Sequence, residues 1–241
     1  MEPKNDLLVT LTLFMPLIGV LPIMFLTRGR EQRIKWFALA FTLLTLGVSL
    51  VLLFSFDAAS PAMQHEHVWE WFSFGNFKIS YNVGVDGLSI LLVLLTAFIM
   101  PLAVLFSLYH VKERPRLYYA FLLILEFAMI GVFVAQDLFL FYVFWEVSLV
   151  PMYFIVGIWG AEQRIYAAVK FFLYTMAGSI LMLLAILWMG NHFQTFSVSE
   201  IMNFIRAAAA TNQSAFPAGP TELLLFLGFF IAFAIKVPIW P

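Results

Sequence analysis

The sequence predicts an all-α polytopic membrane protein with about seven transmembrane helices and a small outer β-hairpin. Composition is the first reason: of 241 residues, 63% are hydrophobic and only 11% are charged, whereas soluble domains are about 45–50% apolar and about 25% charged. The second reason is that the apolar residues form long runs, and the third is that basic residues concentrate in alternate loops between those runs. Together these features place most of the chain inside a lipid bilayer.

Each predicted span is an apolar run close to the about 20 residues that a membrane-crossing helix needs. The runs cover 7–26, 36–56, 88–109, 117–135, 138–159 and 169–190, and a seventh extends from Thr221 to Lys236. The first run lacks the basic segment that opens a signal peptide, so it is interpreted as a retained span. Only Gln136 and Asp137 separate the fourth span from the fifth, so we expect these two helices to be antiparallel neighbours.

The basic residues predict the orientation of the chain. One set of loops and loop edges holds most of them: Arg28, Arg30, Arg33, Lys35, Lys112, Arg114, Arg116, Arg164 and Lys170. The opposite side holds Lys4, Lys78 and Arg206. Because basic loops stay on the cytoplasmic side, the pattern predicts an N-terminus on the outer side.

Two outer connections are predicted to be structured. Apolar residues alternate around Gly75-Asn76, which is typical of a β-hairpin; they are Phe77, Ile79, Tyr81 and Val83. After the sixth span, Ser197 and Glu200 have the spacing of a capping box, which predicts the start of a short amphipathic helix. Its apolar face would carry Ile201, Phe204 and Ile205.

Several function classes are excluded by what the sequence lacks. There are no cysteines, so the chain has no disulfide, thiol nucleophile or cysteine-ligated cluster. No glycine-rich nucleotide motif is present, and a net charge of −1 offers no field for nucleic acid. His65 and His67 are spaced like metal ligands on one strand face, but no third ligand lies nearby, so no metal site is expected.

Three ionisable residues are predicted to lie at membrane depth: Glu146, Lys236 and the weaker candidate Glu126. Glu146 is about eight residues, or ~12 Å, into the fifth span, and Lys236 is about fifteen residues, or ~22 Å, into the seventh. A charge at such depth costs roughly 2.5–3.5 kcal/mol on insertion scales. Because burial shifts both groups toward titration near neutral pH, the pair predicts a proton relay. An inert ion pair remains the alternative.

Four further residues are weaker candidates for the same relay. Glu126 is near the centre of the fourth span, where a lone carboxyl can also stay neutral. Lys170 is near the inner end of the sixth span and can extend to the membrane surface. Asp137 lies at the tight link between spans. Asp86 precedes the third span, where a negative charge also favours a helix N-terminus.

Prolines follow both deep charges closely. Pro151 comes five residues after Glu146, and Pro238 comes two residues after Lys236. Proline removes a backbone donor and frees a carbonyl one turn earlier. A lysine followed by Pro-x-x-Pro in an apolar span resembles the broken helices that transporters use at ion sites.

Taken together, these motifs resemble the antiporter-like membrane subunits of respiratory complex I, with the chain 4 type the most similar. The resemblance rests on GVDGLS before the third span, FYVFWEVSLVPMY in the fifth and AIKVPIWP at the end. It implies a fold of roughly fourteen helices with inverted repeats. Residues 1–116 would be three leading helices with a hairpin loop at 57–87, and 117–241 would be an incomplete first repeat. The resemblance assigns the channel glutamate to Glu146 and the broken-helix lysine to Lys236.

The resemblance also implies a function and its setting. The chain would translocate protons, driven by quinone reduction in other subunits, within a bacterial inner membrane. Flavin, iron–sulfur clusters and quinone would reside in partner subunits, with no cofactor, metal or nucleic acid bound here. Its partners would be the other membrane subunits of the complex and the lipid bilayer. The motifs of a second repeat are missing from the sequence, so we expect it to be a fragment truncated at its C-terminus.

Two other functions stay open. Subunits of multi-protein cation/proton antiporters and membrane-bound hydrogenases share these motifs. A structural membrane anchor, whose buried charges only fix helix positions, is a third interpretation, and it predicts that neutral substitutions at Glu146 and Lys236 leave proton movement intact.

Overall fold

The computed structural model describes residues 6–25, 31–60, 62–74, 77–217 and 219–239, without the side chains of 72–78. In chain order, its elements are α1 Leu7–Phe25, α2 Glu31–Ser55, β1 Gln64–Phe74, β2 Phe77–Val85, α3 Ser89–His110, α4 Pro115–Val134, α5 Leu138–Val147, α6 Leu149–Trp159, α7 Arg164–Phe193, α8 Val198–Ala210 and α9 Thr221–Lys236. Within the described residues the fold is therefore helical, with one β-hairpin. This confirms the predicted fold class.

Six helical segments are long and apolar enough to cross a membrane. They are α1, α2, α3, α4, α7 and the joined pair α5–α6 over Leu138–Trp159. The seventh predicted span is α9, which covers the predicted range but has only 16 residues. The protein is thus an integral, multi-pass membrane protein.

Helices α1 to α4 pack as one bundle around an apolar interior. At one end of the bundle, Ile23, Leu39 and Leu123 pack together with little or no exposed surface. Their outward faces keep large apolar residues exposed, such as Leu44 and Phe54 of α2. In a bilayer these faces contact lipid chains at no desolvation cost, because lipid is as apolar as the side chains.

The predicted hairpin is confirmed. Strands β1 and β2 pair antiparallel, with Trp69 opposite Tyr81. Ile79 and Val83 are buried and Tyr81 donates a hydrogen bond to Thr10 of α1, so the predicted alternation turns one face toward the bundle. The turn residues Gly75-Asn76 lie outside the described residues, as do Lys4, Arg28 and Arg30.

The short link between α4 and α5 connects two parts of the fold. The Gln136 N–H donates to the Asn82 carbonyl of β2 at 2.8 Å, and the Gln136 carbonyl accepts from Val198 N–H at 3.0 Å. The Leu138 N–H donates to the Phe196 carbonyl at 2.9 Å. The link therefore lies like a short strand between the hairpin and the connection from α7 to α8.

Helix α8 begins where the sequence predicts, but the predicted capping box is wrong. The Ser197 side chain makes no capping bond, and its hydroxyl lies 3.0 Å from the Ser199 hydroxyl. Thr195 replaces Glu200 as the acceptor of the Ser197 N–H, and its hydroxyl donates to the Glu200 carboxylate. Ile201 is buried, whereas Phe204 on the predicted apolar face is exposed.

Gly131 of α4 provides a test of the contact between α4 and α5. A Cβ at this position would lie 2.2 Å from Cδ1 of the buried Phe144 ring, so the ring would have to move. We expect Gly131→Ala to destabilise the protein by about 1–3 kcal/mol, as overpacking does. The measurement is the thermal unfolding midpoint in detergent. Gly47→Ala is the control, because a Cβ there meets no atom within 4 Å; equal midpoints for both variants would contradict this packing.

Candidate functional site

The candidate site lies where α9 approaches the interrupted span α5–α6. Trp145 and Glu146 lie in the last turn of α5, Ser148 lies at the interruption, and Lys236 is the last residue of α9. Apolar packing positions the elements: Phe141 and Trp145 of α5 contact Phe233 of α9 through their rings. The two deep charges predicted from sequence therefore meet at one place in the fold.

The Lys236 ammonium has two close partners, the Trp145 ring in the last turn of α5 and the hydroxyl of Ser148, the residue that follows α5. Its Nζ donates to the Ser148 hydroxyl at 2.9 Å and lies 4.7 Å from the centre of the Trp145 ring. The Ser148 hydroxyl in turn donates to the Trp145 carbonyl at 2.7 Å, so it is free to accept from the lysine. A hydroxyl oxygen and an aromatic face both stabilise a cation.

The Glu146 carboxylate acts on Lys236 without touching it. Its charge interacts electrostatically with the ammonium, but no direct ion pair joins the two within the described residues. The Tyr142 hydroxyl lies near both Glu146 and the Ser179 hydroxyl of α7. Atom Oε1 of Glu146 is buried and has no hydrogen-bond partner among the described residues. Glu146 and Lys236 therefore have different polar partners in the protein.

Proline explains why the span is interrupted here. Pro151 has no N–H, so the Val147 carbonyl lacks the donor that a regular helix would supply. Helix α5 ends at Val147 and α6 begins at Leu149, with Ser148 between them. The interruption leaves the Ser148 hydroxyl available to a group outside its own helix.

Glu126 is not part of this constellation. Its side chain has no exposed surface, and neither carboxylate oxygen has a hydrogen-bond partner among the described residues. Lys170 is likewise separate: it is exposed on α7, with its ammonium 5.6 Å from the centre of the Tyr166 ring. A relay role for either residue stays a prediction.

Asp137 and Asp86 both bind helix N-termini. Asp137 accepts from the N–H groups of Phe139 and Leu140 at the start of α5. Asp86 accepts from the N–H groups of Leu88 and Ser89 at the start of α3. The structure therefore supports the helix-terminus interpretation of Asp86, and it gives Asp137 the same task.

The surroundings of these two carboxylates differ in their effect on proton affinity. The hydrogen bond from the Ser89 N–H holds the pKa of Asp86 below its usual value, against the effect of partial burial. Burial raises the pKa of Asp137, and the N–H groups of Leu140 and Phe139 offset only part of that effect. Both carboxylates lie at the hairpin end of the bundle.

Sequence reasoning missed three residues of the site: Trp145, Ser148 and Tyr142. Ser148 could have been noticed in the sequence, because its side chain is the one hydroxyl between Glu146 and Pro151 in an apolar run. Its pairing with Lys236 joins residues 88 positions apart. No local pattern can predict such a pairing.

Among the described residues, no group of three or more acidic or histidine side chains could hold a metal ion. His65 of the His-x-His pair instead contacts Asp6, with Nδ1 2.5 Å from the carboxylate.

Two family models match the chain and together cover almost all of it. The model described as NADH-ubiquinone oxidoreductase chain 4, amino terminus, matches residues 10–133. The model described as NADH:quinone oxidoreductase/Mrp antiporter, transmembrane region, matches residues 135–241. The boundary falls at the link between α4 and α5.

Relatives and solved structures agree with these models. The chain is 43% identical to NADH-quinone oxidoreductase subunit M of Rhodobacter capsulatus, covering 97% of this chain and 46% of that protein. It is similar to a chain of respiratory complex I from Thermus thermophilus, with 26% identity, a TM-score of 0.77 and coverage of 95% and 44%. A chain of the Mrp complex from Dietzia sp. has 19% identity, a TM-score of 0.73 and coverage of 97% and 24%, which indicates a shared fold. The chain thus spans about half the length of the subunit M relative and about a quarter of the Mrp chain.

The capping role of Asp137 predicts a specific pattern of variant stabilities. Asp137→Ala removes the acceptor of two N–H groups and should cost about 0.5–2 kcal/mol, whereas Asp137→Asn keeps an acceptor and should cost less. Thermal midpoints in detergent measure the difference. Glu162→Ala controls for loss of an exposed carboxylate. If the Asn variant were as unstable as the Ala variant, capping of α5 would not be the way in which Asp137 stabilises the protein.

Proposed function

The chain belongs to the NADH-ubiquinone oxidoreductase chain 4 family, and from that premise we propose that it is a proton-translocating membrane subunit of an NADH:quinone oxidoreductase. The observation that carries the proposal is the partly buried contact of Lys236 with Ser148 beside Glu146. An ammonium and a carboxylate within one membrane interior, each with a different polar partner, can exchange protons with their surroundings separately. A proton pump requires that these two groups gain and lose protons independently of each other.

The proposal assigns the redox chemistry to other subunits. Flavin, iron–sulfur clusters and quinone are bound by partner subunits, and this chain contributes no redox centre. Its partners are other membrane subunits and the lipid bilayer. We place it in a bacterial inner membrane with its N-terminus on the periplasmic side, because the basic residues favour that orientation.

The coupling in this mechanism is electrostatic. With an effective dielectric constant of about 20, two unit charges in contact at about 4 Å interact by about 4 kcal/mol. Glu146 and Lys236, both among the described residues, form no such contact pair, so their coupling is weaker than this limit.

Proton transfer then follows from the charge of Glu146. While Glu146 is ionised, it holds Lys236 in the ammonium form, donating to Ser148. When Glu146 takes up a proton from a hydrated path, the stabilising charge disappears and the ammonium releases its proton to the next acceptor. Glu146 then passes its proton to the neutral lysine amine, which returns both groups to their starting forms, and one proton has moved from the hydrated path to the acceptor beyond Lys236.

The proposal extends to the division of the chain. Residues 1–116 form the leading helices with the hairpin loop at 57–87, and residues 117–241 form part of a first antiporter-like repeat. The break at Ser148 and the helix end at Lys236 both fall in the second part. The proposal also includes a relay role, with less support, for four further residues: Glu126, Lys170, Asp137 and Asp86.

A subunit of a multi-protein cation/proton antiporter is the second candidate function. One of the matching family models covers both classes, and the fold is shared with a chain of the Mrp complex. Co-purification decides between them: subunits that carry flavin and iron–sulfur clusters support the oxidoreductase, and their absence from an intact, active complex supports the antiporter.

Neutral substitutions at the two deep charges test the pump directly. In the complete enzyme, Lys236→Met and Glu146→Gln should each lower proton pumping and coupled quinone reductase activity together, because either change removes one partner of the electrostatic switch. The measurement compares proton uptake with NADH oxidation in membrane vesicles.

Lys112→Gln is the matched control for those variants, since Lys112 is an exposed lysine in the loop before α4. Normal pumping by both deep-charge variants would contradict the pump and support the structural anchor.

Ser148 is a positioning residue, and its variants have a distinct signature. Ser148→Ala removes the acceptor of the Lys236 ammonium, and a lost hydrogen bond to a charged group costs about 1.5–3 kcal/mol. We expect the pH profile of coupled activity to shift to lower pH, because the ammonium form loses a stabilising partner. Ser148→Thr keeps the hydroxyl and should restore the profile. If the pH profile of Ser148→Ala were unshifted while the protein stayed folded, the contact between Lys236 and Ser148 would have no role in coupled activity.

A further inference from the structure

The core of the α1–α4 bundle has an apolar cluster at each end. The cluster at the hairpin end contains Leu52 of α2, Val93 of α3 and Ile130 of α4. The cluster at the opposite end contains Leu39, Met100 and Leu123 of the same three helices. Residues between these positions on each helix therefore lie at mid-height of the bundle.

Five of the buried residues at mid-height are polar. They are Thr42, Thr45 and Ser49 of α2, Thr96 of α3 and Glu126 of α4. Thr96 is the most exposed of them, at 6%, and Glu126 has no exposed surface. Because α4 packs against α2 and α3 as well as α1, these buried side chains face a common interior. We call them the mid-bundle layer.

The hydroxyl groups of the mid-bundle layer have no proton left for the core. Each donates to a carbonyl of its own helix: Thr42 to Leu39, Thr45 to Phe41, Ser49 to Leu46 and Thr96 to Leu92. A hydroxyl that has used its proton still offers oxygen lone pairs. Neither oxygen of Glu126 has a hydrogen-bond partner among the described residues. The layer therefore offers acceptors to the core without offering donors.

Two prolines add backbone acceptors close to the same height. Pro16 lies inside α1 and Pro101 lies inside α3. Since proline has no N–H, the carbonyls of Thr12 and Ala97, four residues earlier, lack the donor that a regular helix would supply. Both of these residues are buried. Carbonyls freed in this way coordinate Na⁺ in the interrupted helices of transporters.

We propose that the mid-bundle layer binds one dehydrated Na⁺ ion, held by the Glu126 carboxylate and by hydroxyl oxygens of α2 and α3. A buried carboxylate needs a positive partner, and Glu126 forms no ion pair within the described part of the chain. One Na⁺ neutralises one carboxylate, whereas a divalent ion would leave a net positive charge in the core. A proton on Glu126 would satisfy a single acceptor, whereas Na⁺ contacts several oxygens at once.

The position of the layer also bears on the choice of ion and on the function. Apolar clusters close the layer at both ends, which favours a small ion such as Na⁺ over the larger K⁺. Glu126 does not contact Lys236 or Ser148, whose partners are described above. The proposal is thus independent of proton translocation, and its failure would leave the pump proposal unaffected.

Equilibrium dialysis with radiolabelled Na⁺ tests the proposal on the full chain, in the assembly in which detergent extracts it. Glu126→Gln removes the charge at nearly constant volume, and the assembly should then bind one Na⁺ fewer. Thr96→Val removes one oxygen ligand and should weaken binding at that site about tenfold or more, since a lost polar contact to a charge has that effect.

Thr175→Val is the matched control. Thr175 of α7 is also 6% exposed, and its hydroxyl also donates to carbonyls of its own helix, but it lies outside the mid-bundle layer. We expect this variant to bind Na⁺ normally. Equal Na⁺ binding with and without Glu126→Gln, equal losses in the two valine variants, or equal occupancy of the site by K⁺ would overturn the proposal.

Infrared spectroscopy distinguishes Na⁺ from a proton as the partner of Glu126. In saturating Na⁺, we expect no carboxylic-acid band that Glu126→Gln abolishes, because the bound ion requires the ionised form. Such a band, persisting in saturating Na⁺, would overturn the proposal and identify a protonated acid.

Discussion

The hydrogen bond from Lys236 to Ser148 is the contact on which the functional geometry depends. A partly buried ammonium needs protein partners, because burying an unpaired charge is costly. The lysine obtains those partners from a single short stretch, the Ser148 hydroxyl and the Trp145 ring. Because that stretch also carries Glu146, stabilising the cation brings the acid and the amine together.

A second constraint holds this site in place from the hairpin end. The link at 135–137 hydrogen-bonds on one side to β2 and on the other to the connection between α7 and α8. Asp137 within the link also binds the first N–H groups of α5. The start of α5 is thus fixed to both halves of the chain, which limits how far α5 can move relative to α7 and its neighbour α9.

Much of the architecture was predictable from the sequence. Seven apolar runs predicted spans, and six of them are helices long and apolar enough to cross a membrane, because a helix satisfies its backbone groups within its own segment. Alternation over Ile79, Tyr81 and Val83 predicted the hairpin strand, and its buried face follows that pattern. The capping box at Ser197 failed because a neighbour, Thr195, competed for both partners, and such competition depends on the folded loop rather than on spacing.

The sequence by itself determined the six long spans and the presence of the acid Glu146 within one of them, since the cost of leaving water acts on each segment locally. Only the tertiary structure decided which residues meet. It brought Lys236 to Ser148, kept Glu146 near but not in contact, and left Glu126 and Lys170 apart. Helix packing sets those distances, and packing depends on the shapes of side chains from distant parts of the chain, such as Trp145 against Phe233.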